Sequence, residues 1–315
     1  MPTEMSPVAA GVIHDLGYRR YEGPRFGRQR IVAALAWHSF RSAFGFGRGA
    51  KAKIVPVIAF VALLLPAIVN AFAMSQGQAR QVDYDTYVPT LRDLIMLVFV
   101  AVQAPELVSR DLRSRVLPLY FSRPIKPVDY PLAKYLGFTG ACLVMLDVPL
   151  LALYGGAVAN VHGGSAVWAE TKALIPGLLI GLLWAVTLAA ISLVLASMTG
   201  RRGFATGAVA IAFLLTYTLA EILLQVESLP GSRLGGPPGS NAAPSLGIPL
   251  AEKIAGLFSP FTLLQGVRLW LGGTNTGDNV PKPGGFGAVY ALVLIALVAL
   301  SLYALAARYR KARLS

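Results

Sequence analysis

From residue 54 onward, long apolar stretches alternate with short polar ones, and that alternation predicts the architecture. Residues 54–74, 136–158, 173–198, 204–224 and 286–306 form five apolar runs, each near or above the roughly 20 residues a membrane-crossing helix needs. Only a helix or a closed barrel satisfies its own backbone groups inside a hydrocarbon core, and these runs have helix length. Residues 87–104 make a weaker sixth stretch. Arg92 and Asp93 interrupt its first turns, leaving 94–102 as its continuous apolar run. It is expected to span as well, with Arg92 near one end snorkelling to the interface.

Composition agrees with that reading. The 315 residues are 55% hydrophobic and 14% charged, with a mean hydropathy of +0.61, against about 25% charged residues in soluble domains. The formal net charge is +13, which by itself would suit a nucleic-acid ligand. The positions of the charges argue otherwise. With six spans and an inside N-terminus, the cytoplasmic segments are 1–53, 105–135, 199–203 and 307–315. They collect every Lys and Arg except Arg80, Arg92, Lys172, Arg233, Lys253, Arg268 and Lys282, as the positive-inside bias requires. Deleting the weak second span would throw the basic residues of 105–135 outside. Both termini are therefore expected in the cytoplasm, and no nucleic-acid partner is expected. The first apolar run follows 53 largely polar residues, so no cleavable signal peptide is expected either.

The expected architecture is an all-α integral membrane protein. A cytoplasmic N-terminus occupies 1–53, a six-helix transmembrane domain 54–306, and a basic tail 307–315. Within 24–48, Trp37, Phe40 and Phe44 share one helical face while Arg28, Arg30, Arg41 and Arg48 flank it. That pattern suits an interfacial helix, or a helix packed on its own protein. Residues 105–118 read as a short charged helix, with Val108, Leu112 and Val116 in a stripe and Pro105 in its first turn. Glu106 precedes Arg110, and Asp111 precedes Arg115, at the favourable i, i+4 spacing. Spacing alone leaves two readings open, a solvated surface helix or a docking element. A Gly/Pro-rich linker at 229–249 leads to an apolar stretch, 250–271, broken at Ser259-Pro260. Two short re-entrant helices in the outer leaflet are expected there before the last span.

No catalytic constellation is present in the sequence. It lacks a GxxxxGK[ST] phosphate loop, HExxH and GxSxG, and its three histidines lie far apart. No enzyme activity, cofactor or metal is expected in this chain. The single cysteine, Cys142, has no partner for an internal disulfide. Asp147 sits near the middle of the third span. A carboxylate there costs roughly 2.5–3.5 kcal/mol on insertion scales, so it should face protein or a wet cavity. It is either bonded to a neighbouring helix or part of a transport path. Glu221, near the outer end of the fifth span, carries the same ambiguity. Gly177/Gly181 and Gly203/Gly207 have the spacing that lets helices approach closely.

The run LVSRDLRSRVLPLYFSRPIKPVDYPLAKYLG at 107–137 resembles the first cytoplasmic loop of type-2 permease subunits of ATP-binding-cassette (ABC) exporters. The matching features are Glu106 at the end of the second helix, a charged coupling helix, and then Ser122, Arg123, Pro124, Asp129, Tyr130 and Lys134. Tyr18-Arg19-Arg20-Tyr21-Glu22-Gly23 and Leu257-Phe258-Ser259-Pro260-Phe261 are similar to the opening and the pre-final segment of such permeases. The resemblance implies a prokaryotic cytoplasmic (inner) membrane protein. Two copies of a separate ATPase subunit would hold ATP and Mg, and a second permease chain, identical or different, would complete the complex. Glu106, Arg110, Asp111, Arg113 and Arg115 would couple the ATPase to the helices, and an amphiphilic or hydrophobic substrate would be exported. Two alternatives remain at this stage: an ion- or proton-coupled secondary transporter using Asp147, or a membrane scaffold that recruits a cytoplasmic protein.

Overall fold

The computed structural model describes residue 23 and residues 27–87, 89–113, 125–228, 254–273 and 284–312. Among these, regular structure is entirely helical. The elements are α1 (Arg28–Ala43), α2 (Lys51–Ser75), α3 (Pro89–Arg113), α4 (Asp129–Asn160), α5 (Gly164–Ser197), α6 (Arg202–Ser228), α7 (Pro260–Trp270) and α8 (Gly287–Ala312). A 3-10 turn, Gly284–Phe286, leads into the last. Five of them, α2, α4, α5, α6 and α8, are long and apolar enough to cross a membrane. The chain therefore has the make-up of a multi-pass membrane protein. Each of the five matches one of the five strong apolar runs to within a residue and extends beyond it at one or both ends.

Burial divides these helices into a centre and a rim. The most apolar windows of α4 and α5 are 61% and 56% buried, against 28%, 17% and 22% for α2, α6 and α8. Along α2, Ile54, Ile58, Val61, Leu65, Ile68 and Phe72 point outward. Apolar faces this continuous need an apolar solvent or a protein cover. The core between the helices is built from Met96, Phe99, Phe138, Met145, Trp184 and Leu188, all buried.

Local chemistry sets the helix ends. Beyond α1, Gly45 adopts φ 76°. The Phe46 amide donates to the Arg41 carbonyl at 3.0 Å and the Gly45 amide to that of Ser42 at 3.0 Å, the paired bonds of a Schellman cap. The same bond pattern ends α2 at Gly77 and α7 at Gly272. α7 begins at the predicted break, where the Ser259 hydroxyl accepts from the Phe261 amide at 3.3 Å and Pro260 takes the first helical position.

Two expectations need correction. Pro105 does not open a separate helix; it lies inside α3, which runs on to Arg113. A proline inside a helix loses one ladder bond, and ion pairs of Glu106 and Asp111 hold the turns that follow. Arg92 does not snorkel to an interface. It is 7% exposed, bonded to Asp93 at 3.1 Å and laid over the Trp184 ring at 4.2 Å. A neighbouring carboxylate and an aromatic face satisfy the guanidinium inside the protein. α1, for which the sequence left an interfacial helix or a helix packed on its own protein open, packs tightly on α4. A Cβ on Gly137 would overlap the Ala36 carbonyl oxygen, and Ser39 and Ala43 are buried. Trp37 remains 60% exposed. It heads a ladder of rings through Phe40, Phe44 and Phe99 to Phe138, with successive centroids 5.3–6.2 Å apart.

Candidate functional site

The end of the molecule where α3 finishes, α4 begins and α8 finishes carries a dense set of ion pairs. Glu106, its side chain 7% exposed, binds Arg48 at 2.5 Å and also Arg202. Arg48 belongs to the glycine-rich α1–α2 linker, and it also reaches the Gln103 side chain at 3.2 Å. Arg202 is the first residue of α6. One turn and a half further along α3, Asp111 binds Lys134 of α4 at 2.7 Å and accepts from the Tyr130 hydroxyl at 2.5 Å. The Tyr130 ring meets that of Tyr309 in α8, 5.4 Å between centroids. Asp129, the first residue of α4, takes a two-pronged bond from Arg28 of α1 at 2.5 and 2.6 Å, and accepts from the Lys126 amide at 2.8 Å. A fork–carboxylate pair of this geometry fixes orientation as well as charge. Ser109 donates to the Ala196 carbonyl at 2.9 Å and so ties α3 to the end of α5.

Of the five coupling residues expected from the resemblance, Glu106 and Asp111 are thus both paired, in separate groups on the C-terminal half of α3. Arg110 and Arg113 lie on the last turns of α3, and Arg115 lies outside the described residues. So do Ser122, Arg123, Pro124 and residues 18–22 of the N-terminal motif. Tyr130 and Lys134 bind Asp111, while Asp129 binds Arg28. Sequence reasoning missed Arg28, Arg48 and Arg202 as partners, because residues this distant in the chain are matched only by the fold. One signal was legible: each sits in a basic segment next to a helix end, close to where a buried acid would need a counter-charge.

At the opposite end, the α2–α3 loop is fastened to α5 and α7. Arg80 pairs with Glu170 and, at 3.3 Å, with Asp83, while its guanidinium covers the Tyr84 ring at 4.4 Å. The Tyr84 hydroxyl donates to Glu170 at 2.8 Å. Burial, and then that bond to a carboxylate, push the Tyr84 phenol up from its ordinary value. Arg268 of α7 binds Asp85 at 3.2 Å, and Gln265 donates to Asp93 at 3.3 Å. These contacts bury α7 against the bundle through Phe261, which meets Trp184, Phe213 and Tyr217. Of the two short helices expected before the last span, α7 is the second. The first lies mostly outside the described residues, which resume at Ile254.

Two cavities accompany this end. One, of about 170 Å³, is an apolar recess among Leu94, Leu97, Phe213, Leu214 and Phe261, with Asp93 on its wall. The other is much smaller, about 20 Å³, and lies between α4, α5 and the α2–α3 loop. Asp147 touches its wall through Gly181. Its carboxyl rests over Gly181, where a Cβ would overlap Oδ1, so the first glycine pair serves a loop and a side chain: Gly177 is covered by Tyr84. Gly203 and Gly207 face open space. Glu221 is half-buried beside Tyr217. No group of His, Cys, Asp and Glu suited to a metal ion occurs among the described residues. The arrangement offers mechanical linkage at one end and an apolar recess at the other. Comparison with protein-family models gives no match, and comparison with curated proteins gives none either.

Proposed function

We propose that this chain is the membrane-spanning permease subunit of an ABC exporter of type-2 architecture, driven by a separate ATPase. In this reading α2, α3, α4, α5, α6 and α8 are the six spans, with both termini in the cytoplasm. α3 contributes fewer apolar residues than the others because its charged C-terminal turns project toward the partner. The observation that carries the reading is the ion-pair cluster of Glu106 and Asp111. The segment resembling a coupling helix begins within α3, and at that point α3 is locked to the α1–α2 linker, α4 and α6. A push delivered to the end of α3 would therefore move several helices together, which is what an ATPase needs from its permease. Arg110, Arg113 and Arg115 supply positive charge for the docking surface. A substrate with a substantial apolar part fits the recess walled by Leu94, Leu97, Phe213 and Phe261.

Purification of the tagged chain from its native membrane tests this directly. An ATPase subunit is expected to co-purify, with vanadate-sensitive hydrolysis. The triple reversal R110E/R113E/R115E is expected to abolish that association while leaving membrane insertion intact. Unchanged association would remove the coupling assignment. A secondary-transport reading finds one specific support, the buried Asp147 carboxyl with an unpaired oxygen. It predicts gradient-driven uptake by the chain alone.

A further inference from the structure

We infer that the end of the molecule where α3 finishes binds anionic glycerophospholipids, their headgroups held by Lys53, Arg201 and Arg310, each poised over an exposed aromatic ring. Phe46, Phe204 and Tyr303 are 51%, 67% and 65% exposed. The Lys53 ammonium lies 5.8 Å from the centre of the first ring. The guanidinium carbons of Arg201 and Arg310 lie 6.0 and 5.9 Å from the second and third, within reach of a cation–π attraction. Ion pairs and a hydrogen bond place all three at one end. Arg202, next to Arg201, shares Glu106 with Arg48, which follows Phe46 closely in the linker. Arg308, beside Arg310 in the last turns of α8, donates to the Met198 carbonyl at 2.9 Å, at the end of α5.

Each ring adjoins an exposed apolar face. On α6, Phe204 is followed by Ile211, Leu215 and Ile222 at helical spacing, and on α8 Tyr303 follows Leu292, Ile295 and Leu300; all are exposed. Phe46 sits in the linker, where Gly45 packs against the Ala52 carbonyl, and the outward face of α2 begins at Ile54. On α6 and α8 the cation lies nearer the helix end than the ring does. Apolar face, ring and cation there succeed one another as acyl chain, glycerol backbone and phosphate do across a leaflet. Charge selects the lipid. The described carboxylates at this end are Glu106, Asp111 and Asp129, each ion-paired and largely buried. Among the described residues, no carboxylate pairs with Lys53, Arg201 or Arg310. The outer surface here is therefore positive, which favours a headgroup of net negative charge over a zwitterionic one. At the opposite end Lys172 lies over Trp168 at 5.7 Å, but there Glu170 and the exposed Asp83 share Arg80. The inference needs insertion in a membrane and no ATPase partner.

Native mass spectrometry of the full chain, released from detergent micelles carrying either phosphatidylglycerol or phosphatidylcholine, tests the inference. Phosphatidylglycerol is expected to bind in preference. K53Q, R201Q and R310Q are each expected to weaken one binding event about fivefold, the size of one cation's attraction to an anionic leaflet. The triple variant should lose the preference while its thermal midpoint in phosphatidylcholine micelles stays unchanged, which separates lost binding from lost folding. Equal binding of the two lipids would overturn the inference. So would an equal loss of binding in K172Q, which would trace the effect to net charge alone. Cross-linking of F204C or Y303C between copies of the chain in native membranes would overturn it too, since protein rather than lipid would then cover these faces.

Discussion

Glu106 and its two arginines sit in unequal surroundings, and that inequality makes them separable by mutation. Glu106 and Arg48 have side chains 7% and 16% exposed, whereas Arg202 is 64% exposed. Removing one member of a buried pair strands the other and typically costs about 3–5 kcal/mol. An exposed pair contributes about 0–1 kcal/mol. E106A is therefore expected to lower the unfolding midpoint in detergent strongly, and R202A barely. Equal effects would mean that Glu106 is not buried as described. Asp147 teaches a related lesson at the same scale. Its depth in an apolar run marked it as needing protein or water around it, and it is indeed enclosed. What the sequence could not reveal was the company: a glycine on α5 that makes room for the carboxyl.

Among the elements, α1 and α4 make a close contact that hinges on a missing side chain. At Gly137 a methyl group has nowhere to go, since the Ala36 carbonyl and Ser39 already fill the space. G137A is expected to cost about 1–3 kcal/mol through overpacking. Gly155, on the same helix with open space around it, provides the control. There, alanine should be neutral or stabilising by up to about 1 kcal/mol, because it is the better helix former. Thermal midpoints of the two variants check both statements, and a neutral G137A would contradict the packing. The helices themselves were legible in the sequence wherever a run was uniformly apolar, since such a run has a single low-energy form in lipid. α3 was legible only in part. Its charges looked like interruptions at Arg92 and a new start at Pro105, yet Glu106 and Asp111 meet Arg48, Arg202 and Lys134 from elsewhere in the chain, and Arg92 and Asp93 pair with each other against Trp184 and Gln265. Pairing across the fold, rather than local propensity, makes α3 one helix. Ser259-Pro260 shows the opposite case. A local cap signal was read as a helix boundary, and it is one.

For the molecule as a whole, both ends are tied by arginine–carboxylate pairs but differ in what those pairs hold. One end binds helices together with arginine–carboxylate pairs and carries the charged segment that follows α3. The other anchors the α2–α3 loop and α7 over an apolar recess. An exporter needs this combination of a stiff input and a yielding apolar route, and a scaffold needs only the first. Narrowing the recess should therefore act on transport without acting on partner binding. L97W, which places a larger ring in a 170 Å³ space, is expected to reduce export several-fold while ATPase association persists. Loss of both together would tie the recess to folding instead.

The most direct measurement reconstitutes the chain in sealed proteoliposomes, with and without the ATPase proposed as its partner, and follows movement of a fluorescent amphiphile across the bilayer. Movement is expected only with the ATPase and Mg·ATP present, and vanadate should stop it. Movement by the chain alone, driven by an ion or proton gradient, would contradict the account.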